Sequence, residues 1–101
     1  MDSVLGSEVL QLHAQICGGL ADPNRIMILY ELADRPKNVT ELCNALSLPQ
    51  SLVSRHLKVL RDRGMVTTER HSTVIIYSLA DMRLIRALDL LRDAMRDGLA
   101  R

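Results

Sequence analysis

The chain has 101 residues, 48% of them hydrophobic, and 13 lysines and arginines against 12 acids give a formal net charge of +1. That length holds one domain with one core, that apolar content excludes a disordered chain, and the even charge balance excludes a uniformly basic packaging protein. No apolar run approaches the roughly 20 residues needed to cross a bilayer, which excludes a membrane span.

From Val4 to Leu20, the residues Leu5, Val9, Leu12, Ile16 and Leu20 recur every three or four positions, forming one stripe of a first helix whose end Gly18 and Gly19 weaken. Asp22 followed by Pro23 is a start signal for a second helix, with Ile26, Leu29, Tyr30 and Ala33 as its buried face and Pro36 as its stop. Asn38 with Glu41 three residues on reads as a capping box, Thr40 being the competing cap, and opens a short third helix through Leu42, Ala45 and Leu46. Pro49 begins the fourth helix, and Gly64 ends it. Leu52, Val53, Leu57, Val59 and Leu60 are its apolar positions, leaving Gln50, Ser51, Ser54, Arg55 and Lys58 on the other side. Gln and Arg meet base edges with paired hydrogen bonds, and Ser and Lys hold phosphates, so this face has the chemistry of a DNA recognition helix. The tight turn between the third and fourth helices gives helix-turn-helix geometry.

Past Gly64, Met65–Thr68 and Val74–Leu79 are β-branched runs separated by polar residues, a β-hairpin with Arg70, His71 and Thr73 near its tip. Asp81 then caps a last helix with a stripe of Leu84, Leu88, Leu91, Met95 and Leu99, while Asp89, Arg92, Asp93, Arg96 and Asp97 form a salt-bridged face. The first few and last three residues are the candidate flexible parts. The fold class is therefore mainly α (α+β): a winged helix-turn-helix of five helices and a two-stranded wing. It forms one domain over 1–101, with the helix-turn-helix at about 39–63 and the wing at about 65–79. The helices at about 4–20 and 81–98 are left to pair with a second copy through Leu5, Val9, Leu12, Ile16, Leu84, Leu88, Leu91 and Met95, because a small domain covers a leftover apolar face with a partner.

Charge is distributed unevenly. Residues 49–73 hold five cations against two anions, a local +3 on a remainder of −2, as suits a regulator that must leave DNA. The two cysteines, Cys17 and Cys43, form no CxxC pair, and no basic, apolar leader opens the chain, so a reduced, cytoplasmic setting is expected.

Several words in the sequence resemble the ArsR/SmtB family of small bacterial repressors. Leu20-Ala21-Asp22-Pro23-Asn24-Arg25 is similar to that family's "LADPxR", Val39-Thr40-Glu41-Leu42 to its "V-x-E-L", and Val53–Leu60 to its "VSxHLxxL". Gly64-Met65-Val66 and Tyr77-Ser78-Leu79 follow its "G-L-V" and "Y-x-L", in the right order and over nearly the whole chain. The resemblance implies a homodimer that binds a palindromic operator and represses transcription until an inducer weakens binding. It also marks departures. The positions that match a metal site on the family's last helix are Asp81, Arg83, Ala94 and Asp97, which loses the site, and no His follows His71. Of the cysteine cluster of arsenic or cadmium sensors only Cys43 is matched, Lys37-Asn38 standing where the cluster begins; the wing tip has Ser72 where Gly is usual.

Two readings stand for each remaining candidate. Cys17 and Cys43 are packing residues, or together a thiol sensor for an oxidant or soft metal, which would need Cα atoms within about 7 Å for a disulfide. His56 reaches a phosphate or base, or packs beneath its helix, the first being favoured. His71 touches DNA or sits in a solvated turn, and His13 with Cys17 makes a weak metal pair. Arg61 and Arg63 serve the helix end and rank below Arg55 and Lys58 as contacts. Without a Gly-rich phosphate loop, a Ser/His/Asp set or paired carboxylates, neither catalysis nor a cofactor is expected. The rival reading is a winged helix used as a protein interaction module, against which the polar Gln50, Ser51, Ser54 and Arg55 argue.

Overall fold

The computed structural model describes residues 3–99, so the chain ends expected to be flexible fall largely outside it, as does the Leu99 side chain. Helix α1 (Ser3–Leu12) runs on through a π-helical turn, His13–Cys17, and is followed by α2 (Pro23–Asp34), α3 (Val39–Leu46) and α4 (Gln50–Asp62). Strands β1 (Val66–His71) and β2 (Val74–Leu79) then form an antiparallel hairpin, and α5 (Arg83–Ala94) closes the fold, passing into a second π-type turn, Met95–Leu99, that breaks at Gly98. This is the winged helix-turn-helix arrangement that the sequence pattern predicts. Among the described residues no helix is long and apolar enough to cross a membrane.

The helix boundaries follow from local chemistry. Asp22 Oδ1 accepts the Asn24 N–H at 2.8 Å, with Pro23 in the first helical position, which starts α2. Asn38, not Thr40, starts α3: its Oδ1 accepts the Glu41 N–H at 2.8 Å while Glu41 Oε1 accepts the Asn38 N–H at 3.1 Å. The Asn38 N–H, seconded by Arg35 at 2.8 Å, holds the Glu41 carboxyl below its ordinary range. Helix α3 ends at Ser47 in the left-handed region (φ 55°), and the Leu48 N–H returns to the Cys43 carbonyl at 3.2 Å. Helix α4 ends the same way, with Gly64 at φ 72° and the Met65 N–H on the Leu60 carbonyl at 2.9 Å. These two abrupt stops aim α4 away from α3 and send the chain into the wing.

The hairpin pairs Val66 with Leu79 through His71 with Val74, so only Ser72 and Thr73 turn the chain. Ser72 takes φ 60° there, a conformation that Gly adopts more readily. The base of the wing is tied to the rest: Lys37 and Tyr77 exchange both backbone hydrogen bonds at 3.0 and 2.9 Å, and the buried Lys37 ammonium reaches Glu31 Oε1 at 2.8 Å.

The core consists of Ile28, Leu29 and Leu32 of α2, Leu42 of α3, Val53, Leu57 and Leu60 of α4, then Met65, Val66, Ile85 and Leu88. Two expectations change. The buried row of α2 is Ile28, Leu29 and Leu32, with Ile26, Tyr30 and Ala33 only half-buried, because α3, α4, α5 and β2 all pack on α2 and cover more than one stripe. Leu88, expected at a dimer surface, is 6% exposed and part of the core, because α5 lies on α2 through Ile85 and Leu88. Leu91, further along α5, and Met95, just after that helix, are exposed, as are Leu5, Val9 and Leu12 of α1, which has no buried residue; Ile16 and Leu84 are half-buried against the core.

Candidate nucleic-acid interface

Helix α4 divides cleanly. Val53, His56, Leu57 and Leu60, at spacing i, i+3, i+4, i+7, face inward and are buried, while Gln50, Ser51, Ser54, Arg55 and Lys58 are exposed along the opposite side. The Lys58 ammonium lies 3.0 Å from Asp62 Oδ2, one turn on, a solvent-exposed pair that a phosphate can displace. Arg70, His71 and Thr73 are exposed on the wing, with His71 Nε2 3.2 Å from Glu69 Oε1. Wing and helix thus offer hydrogen-bonding side chains, with Val74 the exposed apolar residue beside them on the wing.

His56 does not belong to this surface. It is 5% exposed, and its Nδ1 lies 3.2 Å from Arg25 Nη1. A guanidinium only donates, so Nδ1 accepts and the neutral ring carries its proton on Nε2, which faces Asp22 Oδ1 at 3.8 Å without a hydrogen bond. The inward position of residue 56 between Val53 and Leu60 is the reason. Arg25 also donates to the carbonyls of Gly19 (2.8 Å) and Gly18 (3.4 Å). The pattern words around Asp22–Arg25 and Val53–Leu60 therefore meet in one polar contact, and Arg25 is a residue that sequence reasoning missed although it stands in the first of those words.

The helix-end arginines also separate. Arg61 is exposed, whereas Arg63 is half-buried and donates to the carbonyls of Ala14 and Gln15 in the first helix. Of the cysteines, both thiols being free, Cys43 packs against the core as expected of a small hydrophobe. Cys17, by contrast, is exposed, because Gly18 and Gly19, not Cys17, make the close approach to the following elements.

The charged face of α5 is ion-paired as its spacing predicts, Arg92 with Asp89 at 3.3 Å and Arg96 with Asp93. Tyr30 joins it, donating to Asp89 Oδ1 at 2.6 Å beneath the Arg92 guanidinium; burial, then the Asp89 bond, raises the Tyr30 hydroxyl pKa. At the start of α5, Arg83 holds Asp81 by its side chain (Nη2 to Oδ2, 2.7 Å) and by its N–H (2.8 Å), which pulls the Asp81 carboxyl down to about 2.

A helix-turn-helix whose second helix shows an uninterrupted polar, basic edge, followed by a two-stranded wing, defines a winged-helix DNA-binding domain. Residues 22–68 match the model of the bacterial regulatory protein, arsR family. The HTH-type transcriptional repressor SmtB of Mycobacterium tuberculosis is 40% identical over 93 residues, 91% of this chain and 69% of that protein. NolR from Sinorhizobium fredii superposes with a TM-score of 0.79 at 29% identity, covering 92% of each chain. The homodimeric winged helix-turn-helix domain of Mb0332 from Mycobacterium bovis shares the fold with a TM-score of 0.81 at 22% identity, over 100% of this chain and 95% of that one. The chain belongs to the arsR family and is a DNA-binding transcriptional regulator.

Proposed function

We propose that the chain is a homodimeric, cytoplasmic repressor that reads a palindromic operator with α4 and steadies itself with the wing. The observation that carries this reading is the exposed row Gln50, Ser51, Ser54, Arg55 and Lys58, set against the buried Val53, Leu57 and Leu60. Gln50, Ser51, Ser54 and Arg55 meet bases and phosphates, Lys58 meets a phosphate, and Arg70, His71 and Thr73 meet the flanking backbone. The homodimer rests on the apolar residues left exposed, Leu5, Val9 and Leu12 on α1 with Leu91 on α5 and Met95 just after it, and on the homodimeric Mb0332 domain of like fold. A two-fold axis then presents two copies of α4 to successive major grooves about 34 Å apart.

The inducer is a molecule other than a cation taken up at the start of α5, because Arg83 already occupies the carboxylate of Asp81. An exposed Cys17 leaves a thiol-reactive inducer open to test, whereas Cys43 is partly covered by the core. Fluorescence anisotropy on DNA from upstream of the chain's own gene, at several salt concentrations, with reducing agent and with oxidant, tests the reading. We expect tight, salt-sensitive binding that Arg55→Ala weakens on the operator, while Lys58→Ala flattens the salt dependence by about one phosphate contact. Absence of sequence preference in every buffer overturns the reading. Oxidative release abolished by Cys17→Ser assigns the inducer to the thiol.

A further inference from the structure

The end of the first helix is held by two arginines. Arg25 of α2 donates to the Gly18 and Gly19 carbonyls and to His56 in the middle of α4. Arg63, the residue just after α4, donates to the Ala14 and Gln15 carbonyls, the latter at 3.1 Å, and its own carbonyl accepts from Gln15 Nε2 at 2.9 Å. The contact is reciprocal, side chain to backbone in both directions. It falls on the π-helical turn His13–Cys17, in which the Gly18 N–H bonds the carbonyl of His13 five residues back. Such turns are local widenings of a helix and concentrate at functional positions.

The two glycines make the approach possible. A Cβ on Gly18 would lie 2.6 Å from Arg63 Nη1, and one on Gly19 would overlap the sulfur of Met65. Helical carbonyls near a C-terminus are strong acceptors, and a guanidinium is the donor best suited to bridge two of them. Helix α4 is thus fastened to the first helix at its middle through His56 and Arg25 and at its end through Arg63.

We propose that Arg63 is a positioning residue for DNA recognition: clamped on the π-turn of the first helix, it fixes the orientation of α4 and hence operator affinity without touching DNA. This rests on the reading that the exposed row of α4 meets the operator. The guanidinium is turned to protein carbonyls on the far side of the helix end, so it neutralises no phosphate. The apolar side of the same first helix is the one proposed to pair with a second copy, which makes the clamp the direct mechanical link between the dimer seam and the reading helix.

The test compares the full chain with its Arg63→Ala, Arg63→Lys, Gly18→Ala and Arg55→Ala variants on operator DNA and on a scrambled duplex, each over a range of salt. Gly18→Ala displaces only the flexible end of Arg63 and improves helix propensity, so it dislodges the clamp while the melting temperature stays level or rises. We expect Arg63→Ala and Gly18→Ala each to lose about tenfold on the operator and nothing on the scrambled duplex, with the salt slope unchanged and no further loss when combined. Arg63→Lys, which reaches one carbonyl but cannot fork, recovers part of the loss. A salt slope shallower by about one in Arg63→Ala would make it a phosphate contact and overturn the proposal. So would undiminished operator binding, or equal losses on both duplexes. Arg55→Ala separates the two layers: if it too leaves the operator complex intact, the α4 reading itself fails, whereas its loss beside an inert Arg63→Ala refutes the clamp alone.

Discussion

At the scale of single residues, two serines do work usually given to glycine. Ser47 at the end of α3 and Ser72 at the wing tip both take positive φ, 55° and 60°. The left-handed region costs an L-residue roughly 1–2 kcal/mol, and glycine returns about half of that in unfolded-state entropy. Ser47→Gly and Ser72→Gly should each stabilise the chain by about 0.5–1 kcal/mol in urea titration, and valine at either position should destabilise it. His56 carries the second residue-scale prediction. His56→Ala removes the acceptor of Arg25 Nη1 and leaves a cavity beside Val53 and Leu60, so about 1–3 kcal/mol should be lost in denaturation. The salt slope of DNA binding should stay as it was. A flattened slope would return His56 to the DNA surface. Its burial was legible in the sequence from the 53, 56, 57, 60 spacing, but the polarity of the side chain suggested the outer face. What settles the matter is Arg25, 31 residues away in sequence on α2, whose position no local pattern supplies.

At the scale of elements, the boundaries were the most readable part of the chain because they are set by neighbours in sequence. The Asp22-Pro23 start, the Asn38/Glu41 box, the Gly64 stop and the hairpin all depend on contacts within a few residues. The start of α5 is equally local and yields a pH prediction. Arg83 depresses the Asp81 carboxyl from 3.8 to about 2 in the folded chain. A carboxyl whose folded pKa is lowered contributes stability fully above its unfolded value, and that contribution fades as pH falls through the folded one. The melting temperature of wild type should therefore exceed that of Asp81→Asn by a constant amount at neutral pH, the gap narrowing as pH falls towards and below 3.8 and vanishing only below about 2. A gap that persists at the acid end would show that the Asn change acts through packing and not through charge.

At the scale of the whole molecule, the sequence pattern could show which faces are apolar but not which neighbour covers them. Leu88 and Leu91 belong to one stripe, yet the first is buried and the second left to solvent, because further along α5 it is Asp89 and Arg92, through Tyr30, that meet α2. The two residues should fail differently. Leu88→Ala should cost about 2–5 kcal/mol of monomer stability, as core truncations do. Leu91→Asp should leave the secondary structure intact and shift sedimentation from dimer to monomer, with operator affinity falling as the second half-site contact is lost. A Leu91→Asp chain that sediments as a dimer would move the partner's seat elsewhere. The thiol pair illustrates the same limit: both cysteines were visible, but that one is covered and the other open follows only from how Gly18 and Gly19 let the first helix settle onto Arg63 and Met65.

The π-turn at His13–Cys17 has a consequence for helical phase. A π-turn is in effect one residue inserted into an α-helix, and one residue corresponds to about 100° of rotation. Everything N-terminal to it, including Leu5, Val9 and Leu12, is therefore rotated as a block relative to Gly18 and Gly19. Removing one residue from this turn would restore a regular helix and swing that apolar row about a quarter of the way around the axis; the Arg25 bonds to Gly18 and Gly19 lie beyond the turn, whereas the Arg63 bonds to Ala14 and Gln15 lie within it and would shift with it. The direction in which the apolar row of α1 faces is thus set by a single codon, and because Arg63 holds the same turn, that codon also bears on how α4 is seated.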